Sequence, residues 1–238
     1  MLTLEPVAHI HSDFPTKFGI PRQSGLVEEL EALVVFEPSW RDDNALRGIE
    51  GFSHLWLIWE FSEAVGKGWH PTVRPPRLGG NQRMGVFATR SPFRPNPIGL
   101  SCVRLEKVEL DGPDGPVLYV TGADMMSGTP IYDIKPYLPY VDSIPQARGG
   151  FASRVKEYAL EVEISGACLE KIPVSERETL RQILSQDPRP SYQDDPERMY
   201  GMGYAGMEVK FQVKDGRLLV RDIETASKDP AQEEKGRK

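Results

Sequence analysis

The chain of 238 residues carries a net charge of −6, with 39% hydrophobic and 27% charged residues, ordinary values for a globular protein. No stretch reaches the apolar length that spans a bilayer, and the start, MLTLEPVAHIHSDF, lacks the zones of a secretory signal. Cys102 and Cys168 are the only cysteines; without a C-x-x-C pair they argue against a zinc ribbon or disulfide framework and for a reducing, cytoplasmic setting.

In chain order the pattern is dominated by β signals. Val7–His11 alternates weakly, and Leu30–Phe36 is a β-branched and aromatic run that stops at Pro38. A polar stretch, RDDNALRG, has room for a helical turn or two before the aromatic-rich strand Phe52–Phe61. Gly85–Thr89, Leu100–Val108 and Val117–Thr121 read as further strands, the last two separated by turn chemistry at Asp111–Gly115. Short, turn-bounded strands of this kind predict a mainly β, barrel-like unit rather than alternating β and α units.

Beyond Gly149-Gly150 the texture changes. Tyr158–Ile164 alternates as a half-buried strand. Ser175–Leu184 reads as a helix, with Ser175 and Glu178 in capping-box spacing and an apolar face of Leu180, Ile183 and Leu184. A proline-rich loop, DPRPSYQDDPER, precedes a hairpin of Met207–Val213 and Leu218–Ile223. The expected organisation is a main domain over residues 1–150, a small α+β appendage over 151–226, and a charged, disordered tail over 227–238.

Charge distribution says more than net charge. Ala64 to Leu105 contains no Asp or Glu but holds Lys67, Arg74, Arg77, Arg83, Arg90, Arg94 and Arg104, a local anion-binding surface in an acidic protein. Within it, VRPPRLGGNQRMGVFATRSPFRPNPIGLS (73–101) is stiffened by Pro75, Pro76, Pro92, Pro95 and Pro97, so Ser91–Pro97 reads as a rigid loop. There Arg90, Arg94 and Asn96 offer two guanidinium forks and an amide, suited to a carboxylate, a purine edge or a phosphate. Phe18–Gln23 is a Gly/Pro turn ending in the multi-donor pair Arg22 and Gln23. Ser127–Tyr137 joins a Gly-Thr-Pro turn to Asp133 and Lys135, which point the same way if the segment is extended.

Other chemistries find little support. Gly201–Gly206 matches G-x-G-x-x-G, but a proline-bearing loop precedes it and a strand-like segment follows, so these glycines read as a shaped loop and not a dinucleotide site. His9, His11, His54 and His70 show no zinc-hydrolase spacing; His54 reads as a satisfied core residue, and no metal is expected. No G-x-S-x-G elbow is present.

FGIPRQSGL, GFSHLWLIWEF, the long arginine–proline stretch, GTPIYDIKPYLPY and QDPRPSY resemble, in order and over about residues 7–220, the TrmO-like (TsaA-like) tRNA methyltransferase family. The resemblance implies a barrel-like, non-Rossmann methyltransferase, a homodimer with no membrane association, and S-adenosylmethionine as methyl donor. The implied substrate is tRNA, methylated in the anticodon loop on N6 of N6-threonylcarbamoyladenosine at position 37. Carried over by position, the cofactor pocket is expected at Pro21, Arg22 and Gln23, at Phe61 and Ser62, and at Arg90 and Leu100. Ser127, Gly128, Thr129 and Pro130 join it, with Asp133 and Lys135. Arg90, Asn96 and Tyr192 are the catalytic candidates; Arg94, Asp187 and Arg189 face the substrate. The chain departs from many relatives in having Phe61-Ser62 for Phe-His, which weighs against a histidine base there, and Ser127 for Asp, which bears on one cofactor hydrogen bond. Two rival readings share the residues: methylation of another acceptor, and a non-catalytic RNA-binding barrel with salt-sensitive affinity.

Overall fold

The computed structural model describes residues 3–75, 82–155, 159–190 and 195–226. Tyr192, Arg77, the first residue of the Tyr158–Ile164 strand and the tail 227–238 lie outside the described residues.

Six strands close a barrel: β1 (Ala8–Ser12), β2 (Glu31–Phe36), β3 (His54–Glu60), β6 (Ile98–Glu109), β7 (Val117–Thr121) and β8 (Thr129–Pro136), in the order β1-β2-β7-β6-β3-β8. Every pair in it is antiparallel. Strand alternation sends one set of side chains inward. Ile10, Val34, Leu55, Leu57, Leu118 and Ile131 are fully buried there, and Trp59 nearly so. The polar stretch 41–48 forms a 3₁₀ turn at Asp43–Leu46, capped by the Asp42 side chain on the Asn44 N–H.

A small ribbon of β4 (Thr72–Val73) and β5 (Met84–Gly85) lies between β3 and β6 in the chain. The expected strand Gly85–Thr89 is not one: pairing stops at Gly85, and Val86–Ala88 turns as a 3₁₀ helix. Ser91–Pro97 is an irregular loop, as its prolines require. β8 was legible only as an extended segment. A bulge at Tyr132, between the Ile58↔Asp133 and Trp59↔Ile131 pairs, breaks its alternation.

After the short helix α1 (Pro139–Asp142), the second unit contains β9 (Glu161–Ile164), α2 (Gly166–Lys171), α3 (Glu176–Ser185), β10 (Tyr200–Tyr204), β11 (Met207–Lys214) and β12 (Arg217–Thr225). Its sheet runs β10-β11-β12-β9, with β9 parallel to β12. Leu180, Ile183 and Leu184 of α3 are buried with the sheet's Val209, Phe211 and Leu218. Two expectations fail here. Ser175 has helical dihedrals and gives its hydroxyl to Glu176, so no capping box forms. The Gly201–Gly206 motif is also no loop: Gly201 and Gly203 lie in β10, where a Cβ would meet Glu208 Oε1 at 2.2 Å and Pro15 Cγ at 2.9 Å. The motif's tail, Ala205-Gly206, supplies the positive-φ turn into β11.

The stretch between β1 and β2 belongs to both units. Phe14, Val27 and Leu30 sit in the second core. Phe14 packs on Tyr204 with centroids 5.5 Å apart, and Phe18 stacks on Phe211 at 6.5 Å. The same stretch is tied to the barrel side by Gly25 N–H to Gly122 O (2.9 Å) and by Ser127 N–H to Phe14 O (2.9 Å).

At this seam burial raises the Asp13 carboxyl above its ordinary 3.8, and Glu176 and Glu31 push the same way. Protonated Asp13 therefore favours the fold fully below the unfolded-state value, and that contribution disappears as pH rises through the folded value. Asp13→Asn is expected to raise stability at pH 7 by no more than about 0.5 kcal/mol, given the carboxylate's partial exposure. Melts repeated below about pH 4 should show the gain vanish.

Candidate active site

The Phe18–Gln23 turn and the arginine–proline loop meet. Arg90 donates through Nη1 to Gln23 Oε1, and Gln23 donates through Nε2 to Arg22 O. Arg22 reaches the other way: its Nη2 lies 3.1 Å from Arg189 O and 3.5 Å from Asp187 O. One turn thus joins the arginine–proline loop to the proline-rich loop of the second unit. Arg90 is exposed and Gln23 half-buried, so both retain hydrogen-bonding capacity toward a ligand.

Beside this pair lies a group that sequence reading missed. Asp124 accepts the Ser101 hydroxyl at 2.5 Å, and Ser101 accepts the Trp59 indole N–H at 2.9 Å. The Ser24 N–H also reaches Asp124. Burial pushes its carboxyl above the usual range; the Ser101 hydroxyl, backbone N–H groups and the Arg90 charge pull the other way. A signal was present in β6: its inward row Gly99, Ser101, Val103 carries a small hydroxyl where a barrel interior ordinarily takes an apolar side chain.

The remaining expected residues fall into three groups. Arg94 folds back, donating through Nη1 to Thr89 O at 2.9 Å, and lies 5.9 Å from the Phe87 ring centroid. It stiffens the loop, and Asn96 projects exposed beyond it. Phe61 N–H bonds Pro97 O at 2.8 Å, which brings Phe61-Ser62 against the loop's end.

Ser127–Pro130 is pinned to β1 by Gly128 N–H to Ile10 O at 2.7 Å. Thr129 is buried and gives its hydroxyl to Met126 O, so its role there is in the turn. Leu100 and Asp133 are both register partners of Ile58, one row on the outer barrel wall. Asp133 and Lys135 pair with each other at 2.8 Å on that exposed face. His54 is half-buried, its Nδ1 2.9 Å from Ser53 Oγ.

In the second unit, Arg189 Nε meets Asp187 Oδ1 at 2.8 Å and Arg189 Nη2 meets Asp187 Oδ2 at 3.0 Å, a bidentate pair. Asp187 takes positive φ to turn the chain after α3. A cleft of about 310 Å³ opens between Lys17, Phe18, Ile20 and Arg22 on one side and Ile183 and Gln186–Pro190 on the other. Pro21 is buried behind Arg22. Among the described residues no group of three His, Cys, Asp or Glu is placed to hold a metal ion, and no helix is long and apolar enough to cross a membrane.

The chain matches two family models, "tRNA-methyltransferase O N-terminal domain" over residues 9–143 and "TrmO C-terminal domain" over 157–226. It is 51% identical over 176 residues to a tRNA (adenine(37)-N6)-methyltransferase of Eikenella corrodens, covering 72% of this chain and 97% of that one. With the Escherichia coli K12 protein of the same name it shares 40% identity over 228 residues, covering 92% and 97%. The crystal structure of TrmO from Pseudomonas aeruginosa superposes with a TM-score of 0.75 at 33% identity, covering 94% of this chain and 98% of that one. A barrel whose arginine–proline loop meets an Arg-Gln turn thus coincides with family matches over both units: the chain belongs to the tRNA-methyltransferase O family.

Proposed function

We infer that the protein is an S-adenosylmethionine-dependent tRNA methyltransferase acting on N6 of adenine 37, and that its substrate there is the N6-threonylcarbamoyl form. The observation that carries this reading is the Arg90–Gln23–Arg22 contact. It joins the arginine–proline loop to a turn touching both units, in a chain related along both to tRNA (adenine(37)-N6)-methyltransferases.

The donor set fits S-adenosylmethionine. Arg90 and Gln23 can receive its carboxylate, and the half-buried Asp124 supplies negative charge near its cationic end. When bound, that cofactor supplies an electrophilic methyl group. Pro21, Arg22 and Gln23 form one wall of the pocket we propose, and Phe61, Ser62 and Arg90 another. Leu100, Ser127–Pro130 and the Asp133–Lys135 pair complete the cofactor's surroundings.

On the substrate side, Arg94 with the Asp187–Arg189 pair borders the nucleoside. The bidentate geometry available to arginine suits a threonyl carboxylate. The acceptor is a urea-like N–H with a delocalised lone pair, so holding it in line is a large part of catalysis, on the order of 7–11 kcal/mol in favourable cases. Arg90, Asn96 and Tyr192 are the residues we assign to that task.

The working unit we propose comprises the barrel to about residue 150 and the appendage 151–226, assembled as a homodimer in the cytoplasm. Tyr140 and Ile144, 82% and 65% exposed, offer apolar surface for the dimer. The test is mass spectrometry of tRNA nucleosides from a strain lacking the gene. Loss of the methylated threonylcarbamoyl nucleoside, restored by the wild-type gene, is expected; an unchanged nucleoside profile would overturn the assignment. Calorimetry with S-adenosylmethionine separates this reading from an RNA-binding barrel, for which no heat of binding is expected.

A further inference from the structure

Three elements converge on Asp124. From the barrel wall comes the Ser101 hydroxyl at 2.5 Å, itself fixed by Trp59 Nε1 at 2.9 Å. From the Arg22–Gln23 turn comes the Ser24 N–H, and from the arginine–proline loop the Arg90 charge. Ser24 is anchored in turn, its Oγ accepting the Cys102 N–H at 3.2 Å. A half-buried carboxylate with these neighbours is held in one place, and the Ser101 hydroxyl, the Ser24 N–H and the Arg90 charge favour its ionised form against the burial that pushes it upward. It is also an acid adjoining a ribbon that has none of its own from Ala64 to Leu105.

Charge gives this placement a consequence. S-adenosylmethionine carries a positive sulfonium, and methyl loss converts it to the neutral thioether of S-adenosylhomocysteine. A pocket walled by Arg22 and Arg90 alone would repel the donor's sulfonium and favour the product. A fixed anion behind Arg90 reverses that preference. We propose that Asp124 is a positioning residue of the donor site, one that lies beside Arg90 and supplies the negative charge by which the pocket prefers the sulfonium donor to its thioether product. This rests on the donor reading above. A purely structural role would weaken or preserve both ligands alike, because the two differ at the sulfur.

The test is calorimetric titration of the full chain with S-adenosylmethionine and with S-adenosylhomocysteine, read as the ratio of the two affinities. Asp124→Asn keeps the shape and removes the charge; the ratio is expected to fall roughly fivefold, the scale of one partly screened charge interaction. Arg90→Gln, at an exposed position that tolerates substitution, leaves Asp124 less neutralised. It is expected to bind both ligands more weakly but to shift the ratio the opposite way, toward the sulfonium. Asp124→Asn with the wild-type ratio overturns the proposal. Should that variant fail to fold, an Arg90→Gln ratio equal to wild type overturns it instead. Wild-type protein that binds neither ligand sinks the donor reading itself, a result distinct from either.

Discussion

Arg90→Ala is expected to lower methyl transfer at subsaturating donor by 10- to 100-fold while leaving the fold intact. Arg90 is exposed and hydrogen-bonds to the Gln23 side chain, so its removal leaves no cavity. Catalysis loses a charge-assisted hydrogen bond, about 1.5–3 kcal/mol, and Gln23 loses the group that orients its amide. The change belongs in the ratio of kcat to KM with S-adenosylmethionine varied. A melting temperature equal to wild type would confirm that the loss is local. Full activity at low donor in a folded Arg90→Ala protein would remove this residue from the site.

Gly99→Ala is expected to cost about 2–3 kcal/mol, at the upper end for overpacking a closed interior. A Cβ there would lie 2.2 Å from Trp59 Cε2 and 2.5 Å from Cζ2. The indole has little room to yield. Trp59 is 6% exposed, its Nε1 is bonded to Ser101, and the Phe61 ring centroid lies 4.3 Å from its own. Any shift of the indole pulls on Ser101 and through it on Asp124, so a loss of donor affinity should accompany the loss of stability. A melting temperature lowered by roughly 5–10 °C is the expected reading, with a change in tryptophan fluorescence reporting the displaced ring. An unaltered melting curve would mean that the barrel relaxes around the new methyl group more freely than its packing implies.

Glu31–Phe36 and His54–Glu60 were legible because β-branched and aromatic residues run through them, and in the fold they alternate between buried and outward positions. Elements whose reasons are tertiary were not. β10 reads as a loop because Gly201 and Gly203 look like chain breakers, yet they are small to admit Glu208 and Pro15. β8 is hidden by prolines near both ends and by the charged outward pair Asp133 and Lys135. α2 is only six residues long, and its cap, Ser165 on the Cys168 N–H, was a usable signal that went unread. Ser175 shows the converse, a capping pattern whose hydroxyl was taken by its neighbour Glu176.

The candidate site divides the same way. Arg22, Gln23 and Arg90 announce themselves by donor-rich chemistry in stiff, glycine- and proline-bearing segments, and the fold brings them into contact. Asp124 does not. It follows β7 in an unremarkable run, Gly122–Met126, and only barrel closure sets it against Ser101, with Ser24 and Arg90 beside it. Donor-rich loops are a local property of the chain, whereas a half-buried acid set among them is a product of topology.

The span from Phe14 to Leu30 acts as a hinge pin seated in two sockets. Severing the chain after residue 150 would bare Phe14, Val27 and Leu30, which the second core covers, and would remove the carbonyls of Asp187 and Arg189 on which Arg22 rests. A solitary barrel would therefore be both prone to aggregation and slack where Arg22 and Gln23 sit. In the pocket we propose, the appendage forms a structural wall of the approach, and docking it should tighten the grip on small ligands before any RNA arrives.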